Sequence, residues 1–296
     1  MSKLTVFNHI PKTAGSTIRG ILALNYSGNI FEFSGDINQY SEFINSPEQR
    51  SDKYTLIHGH VPFGIHNNLT YSPDTICFTY LRDPISRLIS EYVFSIKPHQ
   101  GLHNLVLGKK LSIHSFINAD KPWLNNPYIK FLSGNHPGNV IECSHDDLLA
   151  QSKKYIDDEF LLFGITEFFD ESILLLAKKL GWKPPVYIMK NVASHKLGGT
   201  DVLNLLPDSL VNLLEKRLES DYVLYNYAIS VLKHEISNQP PSYWSALEEL
   251  REIKERLHVH YNNKKHSIYS IENGVDNEVT AALTDCNKIN AYLHSG

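Results

Sequence analysis

Three short stretches of this chain combine side chains able to hold an anion or move a proton. The first is Ile10-Pro11-Lys12-Thr13-Ala14-Gly15-Ser16-Thr17. Its small residues let backbone N–H groups approach an anion, and a helix that follows adds its positive end. Lys12 supplies a mobile charge, and Ser16 and Thr17 supply hydroxyls. The stretch lacks the GxxxxGK[ST] pattern of a Walker A loop. The second is His58-Gly59-His60. On a strand, residues two apart point to one face, so the two imidazoles can share a site, with Gly59 leaving room for a ligand. Histidine is the side chain best tuned for base catalysis near neutrality. No third metal ligand accompanies the pair, so no metal is expected. The third is Arg82-Asp83-Pro84-Ile85-Ser86-Arg87-Leu88-Ile89-Ser90. Arg82 at a strand end can grip a phosphate with both guanidinium arms. Ser86 and Ser90 share a helix face, and Arg87, four residues before Glu91, reads as part of a solvated helix face.

The elements that position these stretches alternate between strand and helix. Residues Leu4 to Ile10, Tyr54 to His60, Thr75 to Leu81, Asn139 to Cys143 and Phe160 to Thr166 read as short buried strands. Helices are expected over Ile18 to Leu24, from Asp83-Pro84 to about Ile96, and over Glu171 to Leu180. The second starts with Asp at the N-cap and Pro at the first helical position; the third carries Ile173, Leu176, Ala177 and Leu180 on one face. Pro207 to Leu232 reads as one helix, and Trp244 to about Tyr261 as a charged amphipathic one after the break at Gln239-Pro240-Pro241. Residues 97–136 look like helices and loops, 187–200 like a polar loop, and the last thirty or so residues show no pattern. Alternation of this kind predicts an α/β fold around a mainly parallel sheet, which binds ligands beyond the carboxyl ends of its strands. All three stretches lie at such ends.

Composition narrows the partners. The 296 residues are 42% hydrophobic and 20% charged, with a formal net charge of -4. Basic residues come in pairs without a long tract, so no nucleic-acid partner is expected. Cys77, Cys143 and Cys286 are scattered and odd in number, which suits free thiols in a reducing cytoplasm. No run approaches the roughly 18 apolar residues of a membrane span, and the N-terminus shows no signal peptide.

Taken in order, "IPKTxGST", "HGH" and "RDPxxRxxSxYxF" resemble the PAPS-dependent carbohydrate sulfotransferases (PAPS is 3′-phosphoadenosine 5′-phosphosulfate). The resemblance is strongest to the uronosyl 2-O-sulfotransferases and spans roughly residues 4–233. It includes Phe163-Gly164-Ile165-Thr166-Glu167, the Ser194-His195-Lys196 loop and the segment Tyr222 to Tyr227. It implies a P-loop-like three-layer fold and a sulfotransferase domain over residues 1–236; residues 237–296, beyond the resemblance, are expected to form a C-terminal helical extension packed on that domain. It also implies roles. Lys12, Thr13, Ala14, Gly15, Ser16 and Thr17 would hold the 5′-phosphosulfate, with Lys12 at the bridging oxygen of the leaving group. Arg82 and Ser90 would bind the 3′-phosphate. His60 would be the catalytic base and His58 its assisting neighbour, and Ser194 and Lys196 would belong to a loop closing over the nucleotide. Ala14 stands where many relatives carry Gly. The charge of -4 is less basic than a grip on a heavily sulfated chain would favour.

The expected reaction is therefore in-line transfer of a sulfuryl group from PAPS to a hydroxyl, probed first on saccharides, leaving 3′-phosphoadenosine 5′-phosphate (PAP). A bacterial-type, cytoplasmic enzyme without a membrane anchor is expected. A P-loop-like kinase and a non-catalytic nucleotide- or glycan-binding protein are the competing readings, separable by whether ATP with magnesium or PAP alone is bound. The middle of the chain, residues 97–136, is expected to shape the acceptor pocket.

Overall fold

The apolar run at the start of the chain becomes the middle of the sheet. In the computed structural model, which describes residues 3–61, 63–71, 73–95, 112–118, 124–134, 143–158, 161–188, 206–263 and 277–295, β1 (Lys3–Asn8) lies between β3 (Leu56–Gly59) and β4 (Asp74–Leu81). Beyond them, β2 (Ile30–Phe33) and β5 (Leu161–Ile165) form the edges, and all four pairings are parallel. Burial explains the composition: Leu4, Val6, Phe7, Phe78, Tyr80 and Leu81 are all at most 2% exposed, as a strand covered on both faces requires. Asn8 pairs with Gly59 on one side and Thr79 on the other. The three strands therefore end together, and the segments that follow them leave the sheet at its carboxyl end.

Helices cover the sheet. α1 (Gly15–Asn25) buries Ile18, Ile21 and Leu22. α2 (Ile37–Asn45) is capped by Asp36, whose side chain accepts from the Asn38 N–H, and α3 (Pro47–Ser51) is capped by Ser46. α4 (Pro84–Ser95) begins as the sequence predicts, with the Asp83 carboxylate accepting from the Ser86 N–H at 2.8 Å. α5 (Ile113–Ile117), α6 (Pro127–Leu132) and α7 (His145–Asp157) follow, the last with a reciprocal Ser144–Asp147 capping box. α8 (Phe169–Leu180) ends on Gly181 in the left-handed conformation.

Three expectations change. Pro207 to Leu232 is two helices, α9 (Asp208–Arg217) and α10 (Glu219–Ser237), because Leu218 leaves helical geometry at φ -109°, ψ 19°. β2 escapes the strand pattern because it is a four-residue edge strand with Ile30 40% exposed. The last residues are helical where no pattern was visible: α11 (Pro241–Asn263) is followed by α12 (Asn277–Thr284) and α13 (Asn287–Leu293). Of the strand expected over Asn139 to Cys143, only Cys143 lies among the described residues, and it is not in a strand.

α11 and α13 share the central core. Tyr243, Ala246, Leu250, Cys286, Ile289 and Tyr292 are fully buried in the same cluster as the sheet. α8 is thereby covered on two sides. Leu174 and Leu175 are buried along with the four apolar residues of its expected face, which is why this helix is apolar nearly all round. Polar contacts fix the seam: Arg251 pairs with Glu171 at 2.5 Å, Lys254 with Asp170, and the Ile289 N–H donates to Glu249 at 2.8 Å. A second cluster joins Ile85, Leu88 and Ile89 of α4 to Phe116 and Ile117 of α5 and Leu210 and Leu214 of α9.

Candidate active site

The segment between β1 and α1 is held in an uncommon backbone. Lys12 and Ala14 both adopt positive φ, at 72° and 65°, a conformation that L-residues enter rarely and that tends to mark functional turns. The buried Thr13 hydroxyl pins the turn by donating to the Ile10 carbonyl at 2.8 Å. Ala14 then opens α1, its carbonyl accepting from the N–H groups of Thr17 and Ile18 at 2.9 and 3.2 Å. The first N–H groups of a helix have no carbonyl four residues back to bond, so this end presents donors, with Ser16 exposed beside them. The Lys12 ammonium lies 3.7 Å from the centre of the Phe94 ring of α4.

The other two stretches are tied to this turn by hydrogen bonds. His60 Nδ1 lies 2.9 Å from the His9 carbonyl, and an Arg82 guanidinium nitrogen donates to the Lys12 carbonyl at 3.4 Å. A carbonyl can only accept, so His60 carries its proton on Nδ1 in the neutral state and leaves Nε2 as the basic nitrogen. Burial holds His60 below the ordinary histidine range; the bond to the His9 carbonyl and the Glu91 carboxylate act in the opposite direction. His58, 8% exposed, is likewise lowered by burial, against the Glu32 carboxylate.

The structure sets a third histidine beside the expected pair. Gly59 sits at φ 117°, so the simple alternation of a strand stops there, and the ring stacked on His60 is that of His9, with centroids 4.6 Å apart. Gly59 does not make room for a ligand either. A Cβ at that position would meet the Phe33 carbonyl oxygen at 2.1 Å, so the glycine serves the close approach of β2. Gly15 is constrained from the other side, since a Cβ there would lie 1.9 Å from His9 Nε2. His9, absent from the sequence-derived candidates, thus touches both the turn and His60. Its only advance signal was its place between a strand and a proline.

Arg82 is braced from several elements. Its N–H donates to the Tyr128 hydroxyl at 3.3 Å, and that hydroxyl donates to the Arg82 carbonyl at 2.7 Å. The next residue is held by two more contacts. The Asp83 N–H donates to Glu167 at 3.0 Å, and the Tyr222 hydroxyl donates to the Asp83 carboxylate at 3.0 Å. Tyr225 completes the set by donating to Glu167 at 2.9 Å. The FGITE strand end and the Tyr222–Tyr227 segment thus act as supports for the Arg82 corner. Arg87 is corrected: it is 2% exposed, its positive charge acting on Tyr128 and Asp221, and it does not belong to a solvated face. Ser90 is half-buried on α4. Ser194 and Lys196 lie outside the described residues. No group of three or more metal-ligating side chains occurs among the described residues.

Residues 3–126 match the sulfotransferase family. That match includes all three stretches, which lie at the carboxyl ends of β1, β3 and β4. Heparan sulfate 2-O-sulfotransferase 1 of Xenopus laevis is 27% identical over 60% of this chain and 54% of that protein. Uronyl 2-sulfotransferase of Mus musculus is 25% identical over 75% of this chain and 60% of that protein. The chain spans less than two thirds of the length of these curated relatives. A mouse sulfotransferase solved with PAP aligns at a TM-score of 0.42 and 14% identity, over 78% of this chain and 88% of that one. No helix among the described residues is long and apolar enough to cross a membrane.

Proposed function

We propose that this chain is a PAPS-dependent O-sulfotransferase whose acceptor is a saccharide hydroxyl. The observation that carries the reading is the convergence of Lys12, His60 and Arg82 on the β1–α1 turn through the two hydrogen bonds to the His9 and Lys12 carbonyls. Two anionic groups on one nucleotide need two cationic ends, and the turn and Arg82 supply them.

In this reading Thr13, Ala14, Gly15, Ser16 and Thr17 hold the 5′-phosphosulfate with the N-terminal donors of α1, and Arg82 with Ser90 holds the 3′-phosphate. Ser194 and Lys196 close over the nucleotide. His60 Nε2 takes the proton of the acceptor hydroxyl as the oxygen attacks sulfur in line. The S–O bond to the 5′-phosphate breaks, and Lys12, swung off the Phe94 ring, stabilises the charge left on that phosphate oxygen. His58 assists from β3. The saccharide acceptor is supported by the relatives named for heparan sulfate and uronyl groups.

Calorimetry with PAP tests the donor site. Metal-independent binding that is lost with ADP, which lacks the 3′-phosphate, supports the assignment. Preference for ATP with magnesium, or no nucleotide binding, overturns it in favour of a kinase or a protein without nucleotide chemistry. His60→Ala then tests the base: transfer from PAPS to uronic-acid-containing saccharides should fall roughly 100-fold or more while PAP affinity persists.

A further inference from the structure

His9 is the most constrained side chain at the site that the proposed reaction leaves unused. It is 9% exposed, and its Nε2 has no hydrogen-bond partner among the described residues. Such a group is normally satisfied when buried. Its ring stacks on Phe7 on one side, centroids 5.3 Å apart, and on His60 on the other, centroids 4.6 Å apart. The ring edge bearing Nε2 occupies the space where Gly15 would carry a Cβ. Its carbonyl holds His60 Nδ1 at 2.9 Å. One residue therefore contacts the face of the base, fixes its tautomer, and abuts the turn that faces the donor.

We propose that His9 is a positioning residue, clamped between the β1–α1 turn and His60, that holds His60 in the Nδ1-protonated tautomer at a fixed distance from the bound donor. The proposal rests on the reading of His60 as the base. The turn runs from Lys12 into Gly15, so a donor seated on it lies against the residue that the His9 ring edge abuts. Unlike a mobile hydrogen-bonding chain, two stacked rings resist rotation of the base about its side-chain bonds. The stack also keeps water from one face of His60.

The groups facing His60 are His9 from the end of β1, Glu91 from α4, Arg19 from α1 and Glu32 from β2, with His58 of β3 facing His9. Loss of the His9 ring removes that imidazole and leaves the Glu91, Arg19 and Glu32 charges in place. It changes hydration and freedom of rotation. Burial is the largest influence on His60 and lowers its proton affinity, so admitting water should raise it.

The test is nitrogen-15 NMR titration of the ring in the whole chain, with the His60 signals assigned by their loss in His60→Ala. In the unaltered protein a single Nδ1-protonated neutral form is expected, titrating below the ordinary value of about 6.5. In His9→Ala the midpoint should rise toward that value, and the His60 ring, no longer stacked, should turn away from the carbonyl that residue 9 still provides, so that the neutral form becomes a mixture of tautomers. His9→Leu, close to histidine in volume and still dry, should retain the low midpoint. Calorimetry with PAP on both variants separates these effects from unfolding, since a folded site keeps measurable affinity. An unmoved His60 midpoint and a single tautomer in His9→Ala would overturn the proposal. Normal sulfuryl transfer by His60→Ala would instead remove the base assignment, and the NMR result stands apart from it because it needs no turnover.

Discussion

At the scale of single residues, what the sequence made visible was chemistry, and what it hid was partnership. Lys12, His60 and Arg82 stood out because their types suit anions and protons, and the structure brings them to one turn. His9 did not stand out, because a lone imidazole at a strand end looks ordinary until the ring opposite it is known. Arg87 looked solvated because i,i+4 spacing to Glu91 is also what a surface pair shows; α6 and α10 bury it instead. Of the cationic groups, Arg82 gives the sharpest test. A charged hydrogen bond contributes about 1.5–3 kcal/mol, so Arg82→Ala should weaken PAP binding roughly 10- to 150-fold by calorimetry. Unchanged affinity would place the 3′-phosphate elsewhere.

At the scale of elements, strands buried on both faces were legible and marginal ones were not. β1 and β4 are rich in apolar and β-branched residues and were found within two residues. β2 carries Glu32 between phenylalanines and pairs on one side only, so its sequence gives neither a clean alternation nor an apolar run. Its position is nevertheless demanding. Gly59→Ala would push a methyl group into the Phe33 carbonyl while keeping a positive φ, and should cost about 2–4 kcal/mol by denaturant unfolding. An unaffected midpoint would mean that the edge strand yields freely. The junction of α6 and α10 is a second demanding place. Buried Asp221 accepts from the N–H groups of Tyr128 and Ile129 at 3.0 and 3.1 Å, capping α6 from a helix distant in sequence. Burial pushes its carboxyl up to about 7, from about 3.9 in an unfolded chain. The folded protein thus binds the extra proton. This contribution to stability is complete below about pH 4 and is lost as the pH rises through 7. Asp221→Asn should flatten the stability profile across that window, whereas an identical slope in both proteins would assign it to other groups.

At the scale of the whole molecule, the C-terminal helices were the least legible part. Short helices with few apolar residues give weak periodicity, and the match of α12 and α13 to α11 is a matter of tertiary contact. Yet Tyr243, Leu247, Leu250, Leu257, Ile289 and Tyr292 are nearly or fully buried. At about 1.5–3 kcal/mol for each large side chain, their removal exceeds or matches the whole stability of an ordinary domain, about 5–15 kcal/mol. A chain ending before Pro241 should therefore lose its cooperative thermal transition and aggregate. A soluble truncated protein with a sharp transition would show that residues 1–236 stand alone.

The placing of β1 between β3 and β4 also has a bearing on synthesis. The strand that ends up with two neighbours is the first of the five to leave the ribosome, and roughly seventy residues must follow before β4 is available. At about 5–20 residues per second, β1 spends on the order of 4–15 s with at least one hydrogen-bonding edge bare, a state in which an apolar strand invites foreign pairing. The nascent chain is thus most exposed to misassociation before the β1–α1 turn has β3 and β4 to rest against.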